Sequence, residues 1–374
     1  MNPSFRLGRI FGIPFGVNWS WLVVVALITW TLGSGVFPAQ NPGLSRGTYY
    51  TMAVVAALLC FTSLLLHELG HAVVAKREGM EIEGITLWLF GGVARFRGAF
   101  PSAGAEFRIA VAGPLVTVVL GGVFVTLAAW GNLPDEADGV VAWLGYINLF
   151  LLAFNLLPAL PLDGGRILRS LLWRVKGDFG WATQIAAATG RVFGFLMIGG
   201  GIALLVFEGV FSGAWLAFIG WFLLQASSAE LGYASVQEAL RGLQVHNLMT
   251  RDPVTVESDA TLGEVVDRVT ATRRHTTYPV VEDGRAIGLL PFSRLAGIPR
   301  ADWDHRRVRE CMLGLDEVPT LEQSEDAVEA LTELQGSPVR RALVVDDGRL
   351  VGLLSLSDLA HAIQLRRPIR ASRP

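Results

Sequence analysis

The residues with the clearest chemical potential form the run His67-Glu68-Leu69-Gly70-His71. The run lies inside a long apolar stretch that predicts a helix, and residues four apart lie on one face of a helix. His67 and His71 can therefore offer imidazole nitrogens to one metal ion, most often zinc. Glu68 lies about 100° round the same helix, where it can take a proton from a metal-bound water. This pattern predicts metal-assisted hydrolysis of a peptide bond.

A catalytic zinc ion normally has three protein ligands and a water, and Asp163 is the candidate for the third ligand. It follows Pro158 and Pro161 and precedes Gly164-Gly165, so the chain can break a helix and turn sharply there. Two alternatives remain open at this point. Asp163 could be an ordinary N-cap of a helix that begins near Arg166, and the histidine cluster could be an interfacial group at the end of its span.

Six apolar stretches approach the length of a membrane-spanning helix, which needs about 20 mostly apolar residues. Hydrophobic residues make up 52% of the chain and charged residues 17%, whereas an ordinary soluble domain has roughly 25% charged residues. Lys and Arg concentrate in alternate loops, which predicts that both termini are cytoplasmic, as are the loops at 76–106 and 159–189. The predicted spans are roughly 18–37, 50–75, 107–131, 139–158, 190–207 and 213–230.

The loop at 82–97 is too apolar for a solvated loop, and its β-rich run is broken by two glycines. It predicts a membrane-associated β-hairpin, which is tolerated at membrane depth only when it is buried in protein or lines a wet cavity. A substrate helix must unwind before it is cut, and an exposed strand edge could hold the unwound segment by β-augmentation. The alternative is a structural hairpin that plugs the cavity. The substrate-binding candidates are Leu89, Phe90, Gly91, Gly92 and Val93.

After residue 232 the composition becomes that of a soluble protein, and two similar units of about 60 residues follow. Each predicts a β-α-β-β-α succession with an Asp-Gly hairpin turn, at Asp283-Gly284 and at Asp347-Gly348. The predicted domains are a membrane domain over 1–232, a linker helix over 233–245, two repeats over 246–300 and 301–366, and a flexible tail over 367–374.

The membrane domain resembles the site-2 protease family of intramembrane metalloproteases. The resemblance rests on the H-E-x-x-H, the Gly-Gly hairpin after it, and the N-x-x-P-x-x-P-L-D-G-G-R run over 155–166. It implies one zinc ion held by His67, His71 and Asp163, with Glu68 as general base. It also implies that Asn155 lies near the scissile bond, where it positions substrate or stabilises the oxyanion. A polar interhelical contact is the alternative role for Asn155.

The two repeats resemble a pair of cystathionine-β-synthase-type (CBS) domains, a family of adenosine-nucleotide sensors. In that family a Gly-h-h-Ser/Thr-x-x-Asp run contacts phosphate and ribose. The second repeat matches the run at Gly352, Ser355 and Asp358, which implies one site for ATP, ADP or AMP. The first repeat departs from it, with Pro291 and Arg294 at the corresponding positions. A pure dimerisation module is the alternative, since Ser-x-x-Asp is also a common helix cap.

The sequence as a whole predicts a multi-pass α-helical membrane protein with a cytoplasmic α/β tandem CBS module. We expect zinc-dependent cleavage of membrane-embedded or membrane-associated proteins, in the plasma membrane, by a homodimer paired through its CBS domains. The net charge of -2 and the absence of a long basic block argue against nucleic-acid binding. The rival functions are a CBS-regulated transporter, which the single cluster of intramembrane ionisable residues disfavours, and an inactive scaffold, which the intact Glu68 disfavours.

Overall fold

The computed structural model describes residues 4–89, 91–96, 98–207, 209, 212–272 and 275–371. The chain divides into two compact units, Met1–Ala234 and Ser235–Pro374. The helices that begin in the first unit are α1 (Trp19–Thr31), α2 (Phe37–Gln40), α3 (Arg46–Arg77), α4 (Ala103–Trp130), α5 (Asp135–Asn155), α6 (Asp163–Lys176), α7 (Phe179–Phe207) and α8 (Ser212–Leu240). Its strands are β1 (Phe5–Ile10), β2 (Ile13–Val17), β3 (Ile82–Trp88) and β4 (Gly91–Phe96).

Within the described ranges, six helical segments are long and apolar enough to cross a membrane, as the sequence predicts. They are Trp19–Gln40, in which a π-helical turn joins α1 to α2, and the helices α3, α4, α5, α7 and α8. Two are longer than predicted, because α7 begins at Phe179 and α8 ends at Leu240. An apolar stretch marks only the part of a helix suited to the hydrocarbon core. The first unit is therefore a multi-pass helical membrane domain.

The helix α3 occupies the centre of this domain, where it packs against α1, α4 and α5. Its N-terminus is capped by Ser45, whose hydroxyl accepts a hydrogen bond from the Thr48 amide. The helix α4 packs in turn against α5 and α6. The helix α4 thus contacts both α3, which carries the two histidines, and α6.

A four-stranded sheet in the order β1-β2-β3-β4 accompanies the helices. Its β3-β4 half is the hairpin predicted for 82–97, with antiparallel pairing from Ile82↔Phe96 to Trp88↔Gly91. The β1-β2 hairpin was not predicted. It joins the sheet through parallel pairing of β2 with the distant strand β3, and local periodicity gives no sign of such pairing. Among the described strands, β4 forms one edge of this sheet, so one row of its backbone groups is available for further pairing.

The second unit contains the two predicted repeats, joined by pairing of β12 with β8 in one mixed sheet of order β10-β11-β12-β8-β7-β6. Both Asp-Gly turns have positive φ at their two residues, 50° and 75° at Asp283-Gly284 and 48° and 77° at Asp347-Gly348, as a type I′ turn requires. The strands are β5 (Thr250–Arg251), β6 (Val256–Glu257), β7 (Thr277–Glu282), β8 (Arg285–Pro291), β9 (Leu313–Gly314), β10 (Thr320–Glu322), β11 (Arg341–Asp346) and β12 (Arg349–Ser355). The helices are α9 (Leu262–Thr272), α10 (Phe292–Leu295), α11 (Ala327–Gly336) and α12 (Leu356–Ala371).

Two predicted segments differ from the structure. The linker helix over 233–245 is not a separate element, because α8 continues to Leu240 and a 3-10 turn follows at Val245–Asn247. Leu240 and Val245 are fully buried in the core of the second unit. This burial depends on distant residues, so the local sequence does not predict it. The flexible tail over 367–374 is helical as far as Ala371, where α12 ends. Residues 372–374 lie outside the described residues.

Candidate metal centre

His67 and His71 lie one turn apart on α3 and are both buried. Their Nε2 atoms are 3.1 Å apart. The Nδ1 atom of His67 lies 2.8 Å from the Thr117 hydroxyl, and the Nδ1 atom of His71 lies 2.6 Å from the Ile109 carbonyl oxygen. Both partners belong to α4, so one neighbouring helix orients both imidazoles.

These hydrogen bonds fix which ring nitrogen carries the proton. A carbonyl oxygen only accepts, so His71 must donate from Nδ1 to Ile109. The Thr117 hydroxyl donates to the Gly113 carbonyl at 3.3 Å, and it therefore accepts from Nδ1 of His67. When each ring is neutral, its Nε2 lone pair faces the other ring and the Asp163 carboxylate. Orientation of this kind by outer partners is characteristic of metal-binding histidines.

Asp163 is the first residue of α6, and its carboxylate faces the histidines. Its Oδ2 atom lies 3.1 Å from Nε2 of His67, and its Oδ1 atom lies 3.3 Å from Nε2 of His71. The N-cap is Leu162, and no side chain caps this helix end. The alternative use of Asp163 as an ordinary N-cap is therefore not the arrangement found here.

The two glycines after Asp163 allow α6 to start close to the preceding loop. A Cβ atom on Gly164 would lie 2.3 Å from the Leu156 carbonyl oxygen, and one on Gly165 would lie 2.2 Å from the Leu160 amide nitrogen. Real Cβ atoms essentially never come so close to backbone. Glycine at both positions thus permits the tight turn that brings Asp163 to the histidines.

The donor set formed by His67, His71 and Asp163 fits a zinc ion. Zinc ligands at about 2.0–2.1 Å in tetrahedral geometry lie roughly 3.3 Å from one another. Here the two Nε2 atoms lie 3.1 Å apart, and they lie 3.1 and 3.3 Å from different oxygens of the Asp163 carboxylate. Two imidazole lone pairs and a carboxylate oxygen would repel one another at these distances, and a cation between them removes the repulsion. Two histidines and one carboxylate are also a known ligand set of catalytic zinc.

Glu68 follows His67 on α3 and is half-buried beside β4. A Cβ atom on Gly92 would lie 2.3 Å from Cγ of Glu68, so the strand backbone passes directly over this side chain. The edge strand and the candidate general base are thus in contact. Leu89 and Val93 are largely exposed on either side of this contact, while Phe90 lies outside the described residues.

Two functional residues on α4 were not predicted from the sequence. A Cβ atom on Gly113 would lie 2.2 Å from Nε2 of His71 and 2.7 Å from Nε2 of His67, so only glycine leaves room for the pair. Thr117 lies one turn later on the same face and orients His67. The sequence feature that could have indicated them is a Gly-Pro pair within an apolar span, with a hydroxyl residue four positions after the glycine.

Asn155 is the last residue of α5 and is half-buried. In the described part of the chain its side chain makes no hydrogen bond, and the structure does not bring it into contact with the histidine pair. The polar contact between α5 and α3 is made instead by Asn148, which is buried and approaches the Ser63 hydroxyl at 3.5 Å. The predicted role of Asn155 therefore stays a prediction.

In the second unit, Ser355 and Asp358 bond to each other at the start of α12. The Asp358 carboxylate accepts from the Ser355 amide at 2.9 Å and from its hydroxyl at 2.6 Å. The Asp358 amide donates back to the Ser355 hydroxyl at 3.3 Å, which completes a capping box. In the first repeat, Arg294 donates to the Met312 carbonyl and pairs with Glu317 at 3.4 Å.

The chain matches two family models and several known proteins along most of its length. The model of peptidase family M50 matches residues 55–134 and 133–198, and the CBS domain model matches residues 245–298 and 308–365. A Mycobacterium tuberculosis protein named Rip3, described as a candidate zinc metalloprotease, is 38% identical over 98% of this chain and 94% of its own. A zinc metalloprotease of Methanocaldococcus jannaschii is 30% identical over 98% of this chain and 97% of its own. A solved site-2 protease from Methanocaldococcus jannaschii is 30% identical, covers 61% of this chain and 94% of its own, and has a TM-score of 0.41.

Proposed function

Because this chain belongs to peptidase family M50, the site-2 protease family of zinc metalloproteases, we propose that it cleaves membrane-embedded or membrane-associated proteins within or beside the bilayer. The observation that carries the proposal is the triangle of two imidazole nitrogens and a carboxylate, with sides of 3.1–3.3 Å, inside a helical membrane domain. Ionisable groups in such a setting are costly and are kept for function.

His67, His71 and Asp163 would hold one zinc ion per chain. When bound, zinc lowers the pKa of its water to about 7 and polarises the scissile carbonyl. Glu68 accepts the proton of the attacking water and delivers it to the leaving amine, since a carboxylate beside the ligands can perform both transfers. Asn155 at the end of α5 is proposed to bind the peptide carbonyl and stabilise its developing negative charge.

The substrate is proposed to bind as an added strand along β4, next to Leu89, Phe90, Gly91, Gly92 and Val93. Strand addition supplies hydrogen bonds to an unwound segment that has lost those of its own helix. The contact between Gly92 and Glu68 supports this site, because a peptide paired with β4 would pass close to the general base. A role of the hairpin as a plug of the cavity is compatible with this use.

We further propose that the protein lies in the plasma membrane with both termini and the CBS module in the cytoplasm, as the distribution of Lys and Arg favours. The CBS pair is proposed to bind ATP, ADP or AMP near Ser355 and Asp358 and to form a homodimer. A nucleotide can regulate cleavage only if it binds one state of the protein more tightly than another.

The test measures zinc content and cleavage together, on the purified chain in detergent, for the native protein and Glu68→Gln. The substrate is a membrane helix that contains a helix-breaking residue. We expect one zinc per chain in both proteins and cleavage only in the native one. Absence of zinc from the native chain would contradict the proposal, as would cleavage that Glu68→Gln leaves unchanged.

A further inference from the structure

A group of two arginines and two glutamates joins α4, α6 and α8, with Arg169 and Glu106 buried and Arg166 and Glu230 partly exposed. Arg169 donates from Nε to Glu106 Oε1 at 2.7 Å, and the two residues are 3% and 0% exposed. Its Nη1 atom also lies 3.4 Å from Oε2 of Glu230, a residue of α8. Arg169 is further enclosed by the Phe179 ring, whose centroid is 4.9 Å from the guanidinium carbon. Glu106 is thus the nearer carboxylate partner of Arg169, although its Oε2 atom has no hydrogen-bond partner among the described residues.

Arg166, the second arginine of the group, also lies close to Glu230. Its Nη2 atom lies 4.0 Å from Oε1 of Glu230, its ion-pair partner among the described residues. The Nε atom of Arg166 is buried and has no hydrogen bond partner in the described part of the chain. Arg166 is also three residues after Asp163, and side chains at this spacing are neighbours on a helix. Asp163 is therefore the neighbouring acidic side chain of Arg166 along α6.

The charges around α6 divide into two balanced sets. Arg166 and Arg169 face Glu230 and Glu106, whereas a zinc ion would face Asp163 and Glu68. An arginine is always charged, and an unpaired buried charge is strongly unfavourable. If Glu230 lost its charge, Arg169 would keep Glu106, and Arg166 would turn to Asp163. Guanidinium and carboxylate groups form strong bidentate pairs, so this pairing would compete with the metal.

We propose that Glu230 is a positioning residue for the metal centre, which holds Arg166 away from Asp163 and so keeps this carboxylate available to zinc. The inference rests on the proposed function in one respect, that Asp163 is a zinc ligand. It assigns to α8 a role at a centre to which this helix supplies no ligand. Glu230 acts through Arg166 and contacts neither metal nor substrate.

The test measures zinc affinity by competition with a chelator on the full-length chain in detergent. For Glu230→Gln we expect a loss on the order of tenfold to a hundredfold, the range seen when an outer partner of a metal ligand is removed. The double variant Arg166→Gln with Glu230→Gln is expected to regain native affinity, since the competing cation is gone. Glu230→Asp keeps the charge and is expected to stay close to native affinity. Cleavage by Glu230→Gln should return at saturating zinc.

The matched control is Glu78→Gln, which removes another carboxylate paired with an arginine, since Glu78 binds Arg108 at 2.7 Å, but which leaves α6 untouched. It should keep native zinc affinity. Native affinity in Glu230→Gln would overturn the inference. So would a double variant as weak as Glu230→Gln, because a merely structural loss is not rescued by removing Arg166.

Asp163→Ala separates the two ideas. If it binds zinc as tightly as the native chain, Asp163 is not a ligand, and the proposed ligand set and this inference both fail. If Asp163→Ala is weak while Glu230→Gln is native, only the inference fails. The melting temperature of each zinc-free variant shows whether it is folded, and the visible spectrum of the Co²⁺-loaded proteins reports whether the ligand geometry changes.

Discussion

At the scale of single residues, the centre depends on side chains that never touch the metal position. The Thr117 hydroxyl and the Ile109 carbonyl each accept a hydrogen bond from an Nδ1 atom, and this leaves both Nε2 lone pairs for the metal. The two rings are held at 81° to each other. Their orientation is thus set from α4 before any ion binds, which reduces the entropy lost on binding.

Thr117→Val tests this orientation, because it keeps the size of the side chain but removes the hydroxyl. We expect zinc affinity to fall roughly tenfold to a hundredfold, as is usual for loss of such a partner. The measurement is chelator competition on the purified chain. Thr62→Val is the control, since among the described residues the Thr62 hydroxyl on α3 donates only to the Leu58 carbonyl of its own helix. Equal affinities in the two variants would contradict the assigned role of Thr117.

At the scale of elements, a helix and a strand each come close to the metal centre at a glycine, the helix beside the two histidines and the strand beside Glu68. Gly113 of α4 faces the two histidines, and Gly92 of β4 faces Glu68. A Cβ atom would lie 2.2 Å from His71 and 2.7 Å from His67 at the first position, and 2.3 Å from Glu68 at the second. The two glycines therefore set the spacing of their elements from the metal ligands and from the general base, respectively.

Gly113→Ala and Gly92→Ala should consequently fail in different ways. The first is expected to weaken zinc binding at least tenfold, because the new methyl group occupies the space of the Nε2 atoms. The second should keep zinc but lower cleavage at saturating zinc by at least tenfold, because it displaces Glu68 or β4. Zinc affinity and cleavage rate are measured for both.

Gly122→Ala is the control for both variants, since it lies on α4 with open space around its Cβ position. It should leave zinc affinity and cleavage unchanged. The interpretation would be wrong if Gly92→Ala lost zinc as Gly113→Ala does, or if neither variant differed from the control.

At the scale of the whole molecule, the chain passes from the membrane domain to the CBS module within a single helix, since α8 runs from Ser212 to Leu240. The CBS module has its own cores, one around each repeat. The Ser355-Asp358 capping box lies in the second repeat. A nucleotide at this position would bind atoms that now cap the helix. Nucleotide binding and the stability of the helix end would therefore depend on the same side-chain atoms.

If ATP or AMP raises the melting temperature of the full-length chain, as the proposed nucleotide site requires, Asp358→Ala is expected to abolish this rise and to cost about 1 kcal/mol of stability as a lost cap. Asp326→Ala is the matched control, because Asp326 caps α11 by accepting from the Val328 amide at 2.8 Å. It should lose similar stability but keep the nucleotide response. A response that survives in Asp358→Ala would place the nucleotide elsewhere, and no response in the native chain would leave the module without this ligand.

The sequence by itself determined the features that depend on local spacing. The i, i+4 histidines with their adjacent glutamate, the six apolar spans, the β3-β4 hairpin and the repeated unit with its Asp-Gly turns all follow from periodicity within short windows. The same logic missed two element ends, since α8 continues to Leu240, which is buried in the core of the second unit, and α12 continues to Ala371.

Only the tertiary structure decided which distant residues meet. It showed Asp163 facing the histidines instead of capping its helix, Gly113 and Thr117 framing the imidazoles, and β2 pairing with β3. It also revealed that Glu230 is an ion-pair partner of Arg166. Charged side chains thus join three helices that no local pattern connects. The physical reason is that contacts between elements are fixed by packing and by the need to pair buried charges, and neither leaves a periodic trace along the chain.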